Sequence, residues 1–353
     1  MQDNQWRNKK LKLDPGKMYE DISNFPDHLE EGNRIGRKAE LPDLDVGGIQ
    51  HVVVCGMGGS AIGADLVRSY LGGRLKIPMV ICRHYGLPGF VGSNTLVIGS
   101  SYSGNTEETL TAIAAANDAG ARIICITTGG KLEAMAAENS WNCVKIPPGM
   151  APRAALAYSL VPLLVLMSRM GFVPGCDSDL ERAASAARKR SEKYSIESEG
   201  NAAMELANRI YGRIPIVYAA QDHFDAVALR FKGQVCENSK QLAFANVYPE
   251  FNHNELVGWE LYEPFVDKLI VLTLRDIDDH LRITSRMRIV HDLLSERKIE
   301  AIELVSDGDS LLSRMLSLIQ LGDFASFYLA ILNGIDPSPV RVIDYLKSAL
   351  EKA

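Results

Sequence analysis

Cysteine is sparse in this sequence and nowhere paired. The six residues Cys55, Cys82, Cys125, Cys143, Cys176 and Cys236 are scattered over 353 positions, and no C-x-x-C spacing occurs. That excludes a disulfide framework and a zinc ribbon, and the plain expectation is buried free thiols in a reducing cytoplasm. Histidine is equally dispersed. Its seven copies form no H-x-H, H-x-x-x-H or H-E-x-x-H pattern, so no dedicated transition-metal site is expected. No run of eighteen apolar residues suggests a membrane span, and the polar opening Met1-Gln2-Asp3-Asn4-Gln5-Trp6 lacks the apolar stretch of a secretory leader. The net charge is −6, with acids and bases intermixed and no basic stripe. Nucleic acid and membrane surfaces are therefore not expected partners.

What is present is a chain long enough for two domains, with 46% hydrophobic residues to fill two cores. Residues 1–45 read as a helical arm, in which Phe25-Pro26 breaks or starts a helix. From residue 46 to 172, short continuous apolar runs alternate with helical stretches. His51-Val52-Val53-Val54-Cys55 is such a run, and others lie at 78–82, 95–100, 122–127 and 143–146. Uniformly apolar strands separated by helices predict a doubly wound parallel sheet with right-handed crossovers. The charged stretch within 173–200 reads as a helical linker. The alternation resumes over 201–353, with strands at 214–218, 268–273 and 299–305, a long apolar helix at 311–332 and a terminal helix at 340–350. The two halves share one architecture, a weak internal duplication.

Two strand ends carry unusual chemistry. The first reads Gly56-Met57-Gly58-Gly59-Ser60. Its glycines are offset from a dinucleotide fingerprint, and the next strand runs into Arg83 and His84 rather than an acidic residue. No nucleotide cofactor, and no other, is expected. A tight strand-to-helix turn needing small residues would read the same way. The second is Ser100-Ser101-Tyr102-Ser103-Gly104-Asn105-Thr106, where several hydroxyls meet the start of a helix. Free N–H groups and the helix dipole favour an anion there, and Gly104 lets the backbone approach. An ordinary N-cap by Thr106 is the simpler alternative, but a cap needs one hydroxyl and this loop offers several. The pattern predicts a phosphate monoester site.

G-M-G-G-S and S-Y-S-G-N-T-E-E-T resemble the sugar isomerase (SIS) domain. The likeness extends to Pro147-Pro148-Gly149-Met150-Ala151-Pro152-Arg153, Glu237-Asn238-Ser239-Lys240, Asn252-His253-Asn254-Glu255, and Val340-Arg341-Val342-Ile343-Asp344-Tyr345-Leu346-Lys347. In that order these motifs resemble the bifunctional phosphoglucose/phosphomannose isomerase family of archaea and bacteria. The resemblance implies two doubly wound, flavodoxin-like SIS domains with an N-terminal helical arm and a C-terminal helix. It also implies a metal-independent interconversion of glucose 6-phosphate and mannose 6-phosphate with fructose 6-phosphate through a cis-enediol(ate).

The resemblance assigns phosphate ligation to Ser60, Ser101, Ser103 and Thr106, on two loops that also contain Gly58, Gly59 and Gly104. It makes Glu237 the base, His253 and Lys347 the ring-opening residues, and Arg153 the positive neighbour of the enediolate. It further implies a homodimer in which His253 crosses to the partner's site. On their own residues alone, Glu237 could be a surface glutamate at a helix end, His253 a surface histidine and Lys347 a solvated lysine. Ser338 stands where a threonine is expected near C2 of the sugar. A non-catalytic sugar-phosphate-binding regulator with SIS domains is the alternative function, needing the loop but not the base.

Overall fold

The computed structural model describes residues 2–42, 46–221, 223–261, 263–350 and 352. It opens with helices α1 (Gln2–Leu13), α2 (Met18–Ser23) and α3 (Phe25–Lys38). Pro26 lies in the first turn of α3, where its missing N–H leaves no bond unmade, so Phe25-Pro26 starts a helix. The first sheet contains β1 (His51–Cys55), β2 (Met79–Cys82), β3 (Thr95–Ser101), β4 (Arg122–Thr127) and β5 (Asn142–Lys145). The strands pair in parallel in the order β2-β1-β3-β4-β5. Val52, Val53, Val54 and Cys55 are fully buried, which explains the unbroken apolar run: helices cover both faces of the sheet. Those helices include α4 (Gly58–Leu71), α5 (Glu107–Asp118), α6 (Gly130–Glu138) and α7 (Leu156–Arg169).

Helix α8 (Asp177–Lys193) takes up the charged stretch. It buries Leu180, Ala183, Ala184, Ala187 and Arg190 and packs on α3 and α12, with most of its other charges turned outward. After α9 (Ala202–Ile210) the second sheet is built from β6 (Ile214–Ala220), β7 (Phe244–Tyr248), β8 (Leu269–Arg275) and β9 (Glu300–Val305). Its parallel order, β7-β6-β8-β9, repeats that of the first four strands of the other sheet. The accompanying helices are α10 (Asp225–Ser239), α11 (Leu281–Glu296), α12 (Leu311–Leu332) and α13 (Arg341–Leu350). Strand β7 has no counterpart in the periodicity of the sequence. It is a short edge strand whose apolar run is interrupted by Asn246 at its middle, and Phe244 is 53% exposed.

By length and mean hydropathy α12 could cross a membrane, but 89% of the window concerned is buried inside the protein. It is a core helix packed against α8, α9 and α10. Helices α4 and α10 also pack together, joining the two sheets. At that contact Ser69 donates to Asp225 at 3.2 Å. Of the six thiols, Cys55, Cys82, Cys125 and Cys176 are buried, and Cys143 and Cys236 are partly so.

Candidate active site

Strands β1 and β3 are neighbours at the point where the order of the first sheet reverses. The loops that leave them therefore meet over its carboxyl edge. Tyr102 N donates to Ser60 Oγ at 3.2 Å, tying the two loops together. Ser101 is 1% exposed; its hydroxyl shares a 2.9 Å hydrogen bond with Thr106 Oγ1 and accepts from Gly104 N at 3.1 Å. Gly104 has φ +69°, and a Cβ there would lie 1.7 Å from the Gly129 carbonyl oxygen, so no other residue fits. Thr106 occupies the N-cap position of α5 but makes no side-chain cap bond to it. Its hydroxyl turns to Ser101 instead, which is not the ordinary cap. The first-turn N–H groups of α5 and its dipole lie beside the serines, an arrangement suited to an anion. Ser103 is exposed, its Oγ accepting from Asn105 N at 3.2 Å. Gly58 has φ +49°, with open space where a side chain would be.

Gly59 carries this loop to the next feature. A Cβ on it would stand 2.6 Å from Pro152 O, so the loop lies directly against the backbone that precedes Arg153. Arg153 is 4% exposed. Its Nε donates to Asn238 Oδ1 at 2.6 Å, and its Nη2 donates to Pro337 O at 2.6 Å and Ser338 O at 2.9 Å. Nη1 stands 3.6 Å from Glu237 Oε2. Burial pushes the Arg153 pKa down and the Glu237 carboxylate opposes this; an arginine stays charged under such a shift.

Below the pair lies a buried polar support. Arg230 Nη2 donates to Arg153 O at 3.1 Å and to Asp323 Oδ2 at 2.7 Å, and Gln234 Nε2 donates to Asp323 Oδ1 at 2.9 Å. Arg230 and Gln234 are one turn apart on α10 and face the same carboxylate on α12. Lys240 follows α10 in a left-handed conformation, φ 52°. Its ammonium donates to Glu237 O at 2.6 Å and Pro337 O at 2.7 Å. Burial, with Arg153 adding to it, pushes the Lys240 pKa down to about 8.

The structure therefore gathers Ser60, Ser101, Thr106, Gly59 and Gly104 next to Arg153 and Glu237, with Ser103 on the same loop. It does not bring His253 or Lys347 to them. His253 ends a short 3-10 turn, Glu250–His253, and is exposed; Lys347 is exposed on α13. Neighbouring Glu255 accepts from Tyr218 Oη and Asn246 Nδ2, which holds this loop to β6 and β7. Asn238, Lys240, Arg230 and Asp323 were not singled out by the sequence. The E-N-S-K run contained the first two, and the only signal was its position at the end of a helix. Among the described residues, no group of three His, Cys, Asp or Glu side chains converges as metal ligands.

Residues 199–350 match the model of the bacterial phospho-glucose isomerase C-terminal SIS domain. A bifunctional phosphoglucose/phosphomannose isomerase of Caldicellulosiruptor bescii is 42% identical over 94% of this chain and 98% of its own. One of Aquifex aeolicus is 39% identical over 85% of this chain and 90% of its own. The crystal structure of a hypothetical protein from Thermus thermophilus superposes with a TM-score of 0.74 at 16% identity, covering 98% of this chain and 92% of that one. With a shared double-sheet fold and such identity over nearly its whole length, the chain belongs to the bifunctional phosphoglucose/phosphomannose isomerase family.

Proposed function

We propose that the protein interconverts glucose 6-phosphate and mannose 6-phosphate with fructose 6-phosphate, through a cis-enediol(ate) and without a metal ion. The observation that carries this reading is the packing of Gly59 against Pro152, which sets the phosphate loop beside the Arg153–Glu237 pair. The phosphate is held by Ser60, Ser101, Ser103, Thr106 and the start of α5, so its binding energy places C1 and C2 of the open chain. Glu237 takes the proton from C2, a C1–C2 double bond forms, and the C1 oxygen becomes an oxyanion beside Arg153. Glu237 returns the proton to C1, and the proton on O2 passes to O1, leaving a ketone at C2. Arg153 supplies the charge that a metal would otherwise provide.

Opening of the ring falls to His253 and Lys347. Neither makes a side-chain hydrogen bond or ion pair among the described residues, and both face outward. This supports a site completed by a second copy, with His253 entering the partner's cleft. Helix α13 supports it further. Val342 is 82% exposed, Tyr345 76% and Leu346 57%, an apolar helix face uncovered in a single chain.

Coupled assays on purified protein with EDTA present test the reading. Fructose 6-phosphate should form from each aldose. No product from either, or loss of activity on chelation, would sink it. Phosphosugar binding without turnover would point to the regulator instead.

A further inference from the structure

The N-terminal arm reaches the same cleft from the other side. Between α1 and α2 the chain reads Asp14-Pro15-Gly16-Lys17. Asp14 is 7% exposed, and its carboxylate accepts from Met18 N at 2.8 Å and Tyr19 N at 2.9 Å. Lys17 N closes the turn on Asp14 O at 3.2 Å, and Pro15 fixes one of its dihedrals. The turn is further fastened by the Lys10 ammonium, 4.1 Å from the ring centre of Tyr19.

Gly16 lies against Ser338. A Cβ at position 16 would stand 2.2 Å from Ser338 Oγ and 2.7 Å from Ser338 Cβ. The hydroxyl could rotate away; the Cβ could move only with its backbone. Ser338 Oγ is buried and has no hydrogen-bond partner among the described residues. The same short loop holds two cations on its carbonyls. Pro337 O accepts from both Arg153 and Lys240, and Ser338 O accepts from Arg153. Ser338 N in turn donates to Asp336 Oδ1 at 2.8 Å. The 336–338 loop thus has the arm on one flank and the charged groups of the cleft on the other.

We propose that the 14–17 turn is a positioning element of the isomerase site: it seats the 336–338 loop and, through the Pro337 and Ser338 carbonyls, fixes where the Arg153 guanidinium and the Lys240 ammonium stand. Gly16 is a glycine because only a residue without a side chain lets the arm come this close. The inference rests on the placement of Arg153 in the active site.

The test is Gly16→Ala in the full chain. Accommodating the methyl group moves the Ser338 backbone by about 1 Å, a displacement that can lower turnover by up to about 10²-fold. The expected result is a kcat reduced about tenfold or more for both aldoses, with KM within about twofold, because the phosphate loop is untouched. Adding Ser338→Gly makes room for the methyl group and should return kcat to that of Ser338→Gly alone. A readout independent of turnover is the pH midpoint for methylation of Lys240, followed by mass spectrometry. It should rise in Gly16→Ala as the ammonium regains water.

Unchanged kcat and an unmoved Lys240 midpoint would overturn the proposal. So would a loss of kcat that only tracks the folded fraction in thermal unfolding. Should Gly16→Ala not fold, Asp14→Ala opens the turn without adding bulk, and the same two readouts decide. Wild-type turnover in the same assay separates failure of this proposal from failure of the isomerase assignment.

Discussion

Arg153 Nη1 stands 3.6 Å from Glu237 Oε2, close enough to interact as charges and too far to share a hydrogen bond. The guanidinium is held instead by Asn238, Pro337 and Ser338. Glu237 is therefore not consumed as a structural partner of Arg153, and a third of its side chain remains accessible, at 35%. A carboxylate beside a fixed cation, with acceptor positions to spare, is suited to moving a proton.

Replacing Glu237 by Gln keeps the shape and removes the proposed base. Arg153 keeps its other three bonds, so the protein should unfold at the wild-type temperature. Turnover should fall about 10²–10⁴-fold, the usual contribution of a positioned acid–base group. KM for each hexose 6-phosphate should stay within about threefold, because the phosphate loop is intact. Steady-state kinetics beside a thermal melt checks both parts; a large rise in KM with little change in kcat would contradict the assignment.

Lys240 gives the site a titration of its own. Its pKa is lowered to about 8, so the ammonium is charged below that pH and neutral above it. In the charged form it donates to the carbonyls of Glu237 and Pro337. In the proposed mechanism, loss of the proton removes a positive charge near the developing enediolate. The rate should accordingly fall as pH rises through about 8. Lys240→Arg stays charged throughout, and its pH–rate profile should lose this descending limb.

How much of this could be read from the sequence depended on how locally each feature is encoded. The strand at 51–55 was legible because both its faces are buried from Val52 onward, so Val52 to Cys55 are all apolar. Strand β7 was not, because an edge strand with Asn246 at its middle has no such constraint. Ser101 and Thr106 announced themselves as hydroxyls at a strand-to-helix junction. The roles of Asn238 and Ser338 are set by contacts with Arg153 across 85 and 185 positions of chain, and nothing local encodes them. The apolar face of α13 was legible as a pattern, whereas its exposure in a single chain became visible only in three dimensions.

The support beneath Arg153 should be sensitive to removal of one partner and tolerant of removal of both. Arg230 and Asp323 have side chains 3% and 8% exposed, paired at 2.7 Å. Burial raises the pKa of Asp323 although Arg230 and Gln234 oppose it. Arg230→Met leaves a buried carboxylate without its counter-ion and should cost about 3–5 kcal/mol in urea unfolding. Combining it with Asp323→Leu removes the uncompensated charge and should recover most of that loss. Equal losses in the single and double variants would mean that packing, not charge, dominates this network.

A site shared between two copies, as proposed, makes a prediction that a single-chain site cannot meet. In the proposed homodimer, Glu237→Gln and His253→Ala should each disable the reaction. Mixing the two variants by unfolding and refolding produces heterodimers. If His253 acts in the partner's cleft, one cleft of each heterodimer carries both substitutions and the other carries neither. Random pairing makes half the dimers mixed, each with one intact cleft, so activity should return to about one quarter of the wild-type value. If His253 serves its own chain, every cleft in the mixture has one defect and activity stays at the level of the single variants. Val342→Glu with Leu346→Glu, one turn apart on the exposed face of α13, gives the complementary result. These chains should sediment as monomers, keep their circular dichroism and lose turnover, because no second copy is left to supply the histidine.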